Sequence, residues 1–204
     1  MRSNYKRLVD YIRQVDVRNR DERVKRLLGV SIDKVFIESI ANTVGTDMSV
    51  YKIVKRGQFA YGPVTSRNGD KVSIALLTEE ECIISSSYTV FEITDTKKLL
   101  PEYLNLWFKR PEFDRYARFH SHGSAREIFD WEEMCNVELP VPPIEEQEKI
   151  VDAYETTEKR IALKRKINDN LEATAQAVFQ EQFASFYGAD ELPNGYSIVN
   201  LDSL

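Results

Sequence analysis

LPVPPIEEQEKIVDAYETTEKRI (139–161) decides the architecture of this chain. Pro140, Pro142 and Pro143 stiffen the entry to a segment that opens on Glu145 and Glu146, and acidic residues in a first turn match the positive end of a helix dipole. Neither proline nor glycine occurs from Ile144 to Tyr187, and Gly188 supplies a C-terminal stop. A helix of that extent would be roughly 66 Å long. Ile150, Tyr154, Thr157, Ile161, Lys164, Asn168, Leu171, Ala175 and Val178 follow a 4-3 heptad spacing, and Phe179, Phe183 and Phe186 extend the apolar character to the far end. Lys164 and Asn168 fall at core-type positions, where polar residues weaken a coiled coil but fix its register. The seam exceeds what the preceding domain could cover, so the spacing predicts a helix paired with a partner through Ile150, Tyr154, Ile161, Asn168, Leu171 and Val178.

Upstream lies one domain, expected over 1–138. RLVDYIRQV (7–15) is expected to start with a helical turn or two, and VRNRDERVKR (17–26) reads as a loop dense in arginine. LLGVSI (27–32) and KVFIESI (34–40) have the composition of strands. From 51 to 93 the pattern is mainly β, punctuated by Gly57, Gly62-Pro63 and the turn signal Asn68-Gly69-Asp70. KLLPEYLNLWFKRPEFDRYARF (98–119) is helical by period and divided at Pro111; SHGSAREIF (121–129) is a loop before one more short element. Strands alternating with helices predict a mixed α/β globular domain followed by the long helix.

The chain has 204 residues and a net charge of −5, unevenly distributed. Residues 1–126 carry 22 Lys+Arg against 16 Asp+Glu, whereas 127–204 carry 6 against 17. A basic front and an acidic back imply different partners: phosphates for the first, protein for the second. Mean hydropathy is −0.43. No apolar run approaches the roughly eighteen residues of a membrane span, and no secretory leader is recognisable, so no membrane association is expected. Cys82 and Cys135 lack CxxC spacing and are expected to be reduced thiols of a cytoplasmic protein.

Catalytic signatures are missing from the sequence. It has no GxxxxGK phosphate loop, no GxGxxG after a strand and no GxSxG elbow. His120 and His122 have no cysteine or carboxylate at zinc-ligand spacing, so neither a metal site nor a catalytic residue is assigned. The paired prolines stand in Val-Pro-Pro-Ile and lack the polar residue with which adenine amino-methyltransferases hold their base. Binding remains. Arg18, Arg20, Lys52, Arg56, Arg67 and Lys71 form one basic group near aromatic residues. Arg115, Arg118, His120, His122, Ser124 and Arg126 form another. Side chains of these types donate to phosphates and base edges, and all twelve are candidates for contact with DNA.

The segment 139–161, continued in NLEATAQAVFQEQF (170–183), resembles the conserved helical region of the specificity (S) subunits of type I restriction–modification systems. LLGVSIDKVFIES (27–39), SVYKIVKRGQFAYGP (49–63), SSSYTVFEI (85–93), LPEYLNLWF (100–108) and GSAREIF (123–129) resemble, in order, segments of that family's target recognition domains. The resemblance implies a non-catalytic chain that recognises double-stranded DNA at a bipartite target. It also implies modification subunits, and in some systems a restriction subunit, as partners. S-adenosylmethionine is then expected in the modification subunit, with no cofactor on this chain. Full-length members have two recognition domains and two conserved helices. Here one of each (1–138 and 139–188) is followed by LPNGYSIVNLDSL within 189–204, similar to the opening of a second domain. A half-subunit working as a homodimer is therefore expected. The competing readings are a scaffold or decoy that dimerises through the helix without touching DNA, and an enzyme with an unfamiliar site.

Overall fold

The computed structural model describes residues 5–39, 45–66, 68–69, 71–123, 126–183 and 195. In chain order the strands are β1 (Tyr5–Arg7), β2 (Ile12–Val15), β3 (Leu28–Val30), β4 (Phe36–Glu38), β5 (Lys52–Val54), β6 (Phe59–Tyr61), β7 (Ile74–Leu76), β8 (Cys82–Ile84) and β9 (Thr89–Ile93). Helices α1 (Pro101–Phe108), α2 (Pro111–Phe119) and α3 (Trp131–Asn136) follow, then β10 (Glu138–Pro140) and the long helix α4 (Ile144–Phe183).

The central sheet runs β2-β9-β6-β7, all antiparallel. Every residue of β6 is buried, so the sheet is covered on both faces. Period-two alternation divides the layers. Phe59, Tyr61, Ile74, Leu76, Phe91 and Ile93 face one cluster together with Leu104, Phe108, Phe113, Phe129 and Met134 of the helical side. Phe59 stacks on Phe91 at 5.0 Å between ring centroids and meets Phe108 edge-on at 5.6 Å; Phe108 meets Phe113 at 4.7 Å. The opposite face carries Ala60, Ala75 and Val90, whose small side chains allow Leu28, Val30, Val54, Cys82 and Ile84 to pack closely. Those residues come from the β3–β4 and β5–β8 pairs, a third layer.

RLVDYIRQV starts with a helical turn, Leu8–Asp10 in 3₁₀ form, and what the sequence did not indicate is the strand after it: Ile12–Val15 pair with β9 across four positions. That ladder sets Arg13 opposite Glu92 and buries Ile12. Pro111 does open a new helix, α2, with Pro101 in the same role at the start of α1.

The chain divides into two compact units, residues 1–152 and 153–204. The first includes β10, which pairs with β1, and the first two turns of α4. Gln147 anchors those turns. It is fully buried; its Nε2 donates to the carbonyls of Lys98 (2.9 Å) and Pro142 (2.8 Å), while its Oε1 accepts from the amide of Leu100 (2.9 Å). The glutamine of the Glu-Gln pair thus satisfies the helix-entry prolines and the start of α1 together, which buried backbone groups require. In the second unit α4 is exposed along its length from Ala153 to Phe183.

Candidate nucleic-acid interface

Helix α2 turns its buried side, Phe113, Asp114 and Ala117, into the core and leaves Arg115, Arg118 and Phe119 outside. Asp114 is held from two directions, accepting from the Val72 amide (2.9 Å) and from the buried ammonium of Lys34. Lys34 also donates to the Val72 carbonyl (2.7 Å) and lies 5.4 Å from the Phe113 ring centre. Its backbone is left-handed, φ 64°. Burial pushes the Lys34 ammonium below its ordinary range, against the pull of Asp114.

The end of α2 is closed by Ser121, whose hydroxyl donates to the Ala117 carbonyl (2.7 Å). The chain then folds back: His122 and Ile128 exchange both backbone hydrogen bonds. Gly123 makes this possible at φ +130°, because a Cβ there would lie 2.2 Å from the Arg126 carbonyl oxygen. Thr65 sews the loop to the segment after β6, donating its amide to Glu127 O (2.9 Å) and its hydroxyl to Ser121 Oγ (2.9 Å).

The structure thereby gathers Arg115, Arg118, His120, His122 and Arg126 around the end of α2. Arg118 pairs with Glu127, and Arg115 lies 3.6 Å from Glu112. His120 stacks on Tyr116 at 4.2 Å and reaches Glu133 at 3.1 Å, while His122 approaches the same carboxylate at 3.6 Å. Arg126 is exposed and has no ion pair among the described residues. Such loosely paired surface cations lose little by exchanging a carboxylate for a phosphate. Lys71, 3.6 Å from Asp33, precedes the Val72 that bonds Asp114 and so borders the same helix. Arg67 and Ser124 lie outside the described residues.

The other basic group is differently placed. Lys52 is buried, its ammonium donating to Tyr88 O (2.7 Å), and Arg18 donates to Val50 O (2.7 Å) and Asp16 (3.0 Å). Burial pushes the Lys52 ammonium down. Arg20 and Arg56 are exposed without an ion pair among the described residues. Much of the arginine-rich loop is neutralised by the β7–β8 turn, where Arg23 pairs with Glu81 at 2.5 Å and Arg26 with Glu79. Cys82 and Cys135 are free thiols, and burial pushes Cys82 up to about 12.

Sequence reasoning placed Phe119 beside the second basic group without making it a candidate, and gave Gln147 no role. Phe119 lies off the face defined by Phe113 and Ala117, a signal that helical geometry offers without a structure. On α4 it also passed over Leu163 and Ile167, exposed beside the polar seam positions Lys164 and Asn168.

Residues 38–173 match the type I restriction modification DNA specificity domain. The HindI type I restriction enzyme specificity subunit of Haemophilus influenzae is 26% identical over 149 residues, covering 72% of this chain and 32% of that protein. The HsdS subunit from Thermoanaerobacter tengcongensis superposes with a TM-score of 0.61 at 18% identity, covering 94% of this chain and 51% of that one. A chain from a structure described as underlying complex assembly and conformational transition of the type I R-M system gives a TM-score of 0.55 at 16% identity, with 89% and 45% covered. The chain thus spans about a third of the curated relative and about half of the solved ones. The family match extends from the end of β4 into the exposed part of α4, and this chain belongs to the type I restriction–modification specificity subunit family.

Proposed function

We propose that this chain recognises a sequence in double-stranded DNA and directs modification subunits to it, without catalysis of its own. The observation that carries this reading is the family match over 38–173, which takes in the sheet-and-helix unit from the end of β4 onward and most of α4. S-adenosylmethionine would be held by the modification subunit, and a restriction subunit could join the same assembly in the cytoplasm. The end of α2, with residues 120–123 and 126–128, forms the DNA-facing surface, where Arg115, Arg118, Arg126 and the histidines supply donors to phosphate and base edges. Lys71 extends it, with Arg20 and Arg56 as further exposed cations, while Arg67 and Ser124 lie outside the described residues. Lys52 and Arg18 support the fold nearby instead.

Two copies pair through α4 in antiparallel fashion, forming a coiled coil and bringing two recognition domains to one DNA. The exposed Ile150, Tyr154, Ile161, Leu171 and Val178 support that pairing, with Asn168 setting register. Two-fold symmetry in the protein then imposes an interrupted palindrome on the target. Co-purification with the cognate modification subunit, followed by mapping of methylated adenines, tests this. Two identical inverted half-sites around a fixed gap are expected. A continuous or asymmetric motif would refute the symmetric dimer, and absence of any sequence-dependent methylation would refute DNA recognition itself.

A further inference from the structure

Phe119 is the most exposed large apolar side chain among the described residues. It is 81% accessible, whereas no other in the first unit exceeds 47%. It ends α2, one residue after Arg118 and one turn after Arg115. His120 meets its ring edge-on at 5.2 Å. The platform beneath is rigid: Phe113 and Ala117 are in the core, Lys34 and Asp114 lock the middle of the helix, and Ser121 caps its end. A single exposed ring needs no occupant by itself; what points to one here is its place among the cations at the end of α2.

Charge complementarity indicates which. Arg115 and Arg118 share the end of α2 with the ring, and Arg126 belongs to the exposed hairpin that follows it. Of the acidic neighbours, Glu112 is tied to Arg110 and Arg115, Glu127 to Arg118, and Glu133 sits between the two histidines. A phenyl ring has no donor or acceptor for a phosphate, but it discriminates among bases through a thymine methyl or an exposed base face. We infer that Phe119 is a base-contacting, specificity-determining residue, its ring meeting the apolar part of one base step while the neighbouring cations hold the backbone. This rests on the DNA-recognition reading above and adds a particular residue and contact chemistry to it.

The test uses the full chain assembled with its modification subunit and a random-sequence duplex library, comparing the unchanged protein with Phe119→Ala and Phe119→Leu. Because the side chain is exposed, both variants should melt with the parent. Phe119→Ala is expected to lose preference at one or two adjacent positions of each half-site by at least about fivefold, with the other positions and the salt dependence unchanged. Phe119→Leu, which keeps apolar bulk, should lie between the two. Identical preferences in all three proteins would overturn the inference. A uniform loss of affinity, or weakened assembly with the modification subunit without altered preference, would also overturn it, assigning Phe119 to the backbone or to the partner. If the unchanged protein selected no sequence at all, the DNA-recognition reading would itself fail, an outcome distinct from the others.

Discussion

Asp114 accepts from the Val72 amide and from Lys34, so removing its carboxylate strands a buried ammonium and a backbone donor together. Breaking a buried ion pair from one side costs about 3–5 kcal/mol, whereas replacing both partners by apolar residues of similar volume is often neutral. Asp114→Ala should therefore lower the melting temperature by on the order of 10 °C. Asp114→Leu combined with Lys34→Met should recover most of that loss; a single mutant melting with the parent would show that the lock carries no weight. Glu92 gives a pH-dependent counterpart. Burial alone would raise its carboxyl. The hydrogen bonds from Gln58 and Arg13, with the charges of Arg13 and Lys55, outweigh burial and hold it below the usual range. A carboxylate depressed in the folded state contributes stability above its unfolded pKa, about 4.3, and that stability is lost as pH falls through the folded value. Thermal melts between about pH 5 and pH 3 should fall less steeply for Glu92→Gln than for the parent, with the variant the less stable of the two at neutral pH.

Helix α4 was legible because its signals are local: prolines at the entry, acids in the first turn, and then some forty residues without a breaker. The apolar layers of the domain were partly legible for the same reason, since alternation in Phe59–Tyr61 and Thr89–Ile93 depends on nearest neighbours. What the sequence alone could not deliver was pairing across distance. Ile12–Val15 became a strand because β9 offered it an edge, and Lys52 went inward because Tyr88 O lies beside it. The candidate interface divided likewise. Its second basic group was gathered by α2 and one loop, while Arg23 and Arg26 met carboxylates 58 and 53 residues away. At the level of α2, Arg115, Arg118 and Arg126 changed together to Ala should weaken DNA binding by the assembled complex. The salt slope should fall by roughly 1 for each phosphate that is no longer neutralised. An unchanged slope in the folded triple mutant would place them on a bystander face. At the level of α4, Ile161→Asp with Leu171→Asp puts charge into two proposed seam positions, at a cost of several kcal/mol if they are buried by a partner. The variant should be monomeric and the parent dimeric by light scattering at micromolar concentration, whereas a monomeric parent would end the pairing proposal.

For the molecule as a whole, the proposal joins a recognition unit that meets DNA to an acidic helix that meets protein, and symmetry links the two. If two copies associate in antiparallel fashion along α4 about a two-fold axis, the number of residues in the helix fixes the separation of the two DNA-reading surfaces. The bases they read depend only on the surfaces. Length and specificity are then separable by mutation. One heptad inserted between Lys164 and Asn168 keeps the 4-3 spacing in phase, because seven residues restore the same side of a coiled coil. It adds about 10.5 Å of helix, which corresponds to up to about 3 base pairs of B-form DNA. Methylation mapping of the insertion variant should return the parental half-sites, still inverted and identical, around a gap lengthened by that amount. Inserting two residues instead turns the seam by about 200°, away from its partner, and should cost dimer stability before it alters the gap. An altered half-site in the heptad variant would mean that the helix influences base reading directly. An unchanged gap in a stable dimer would mean that something other than α4 sets the spacing, and the symmetric arrangement argued from its exposed seam would fail.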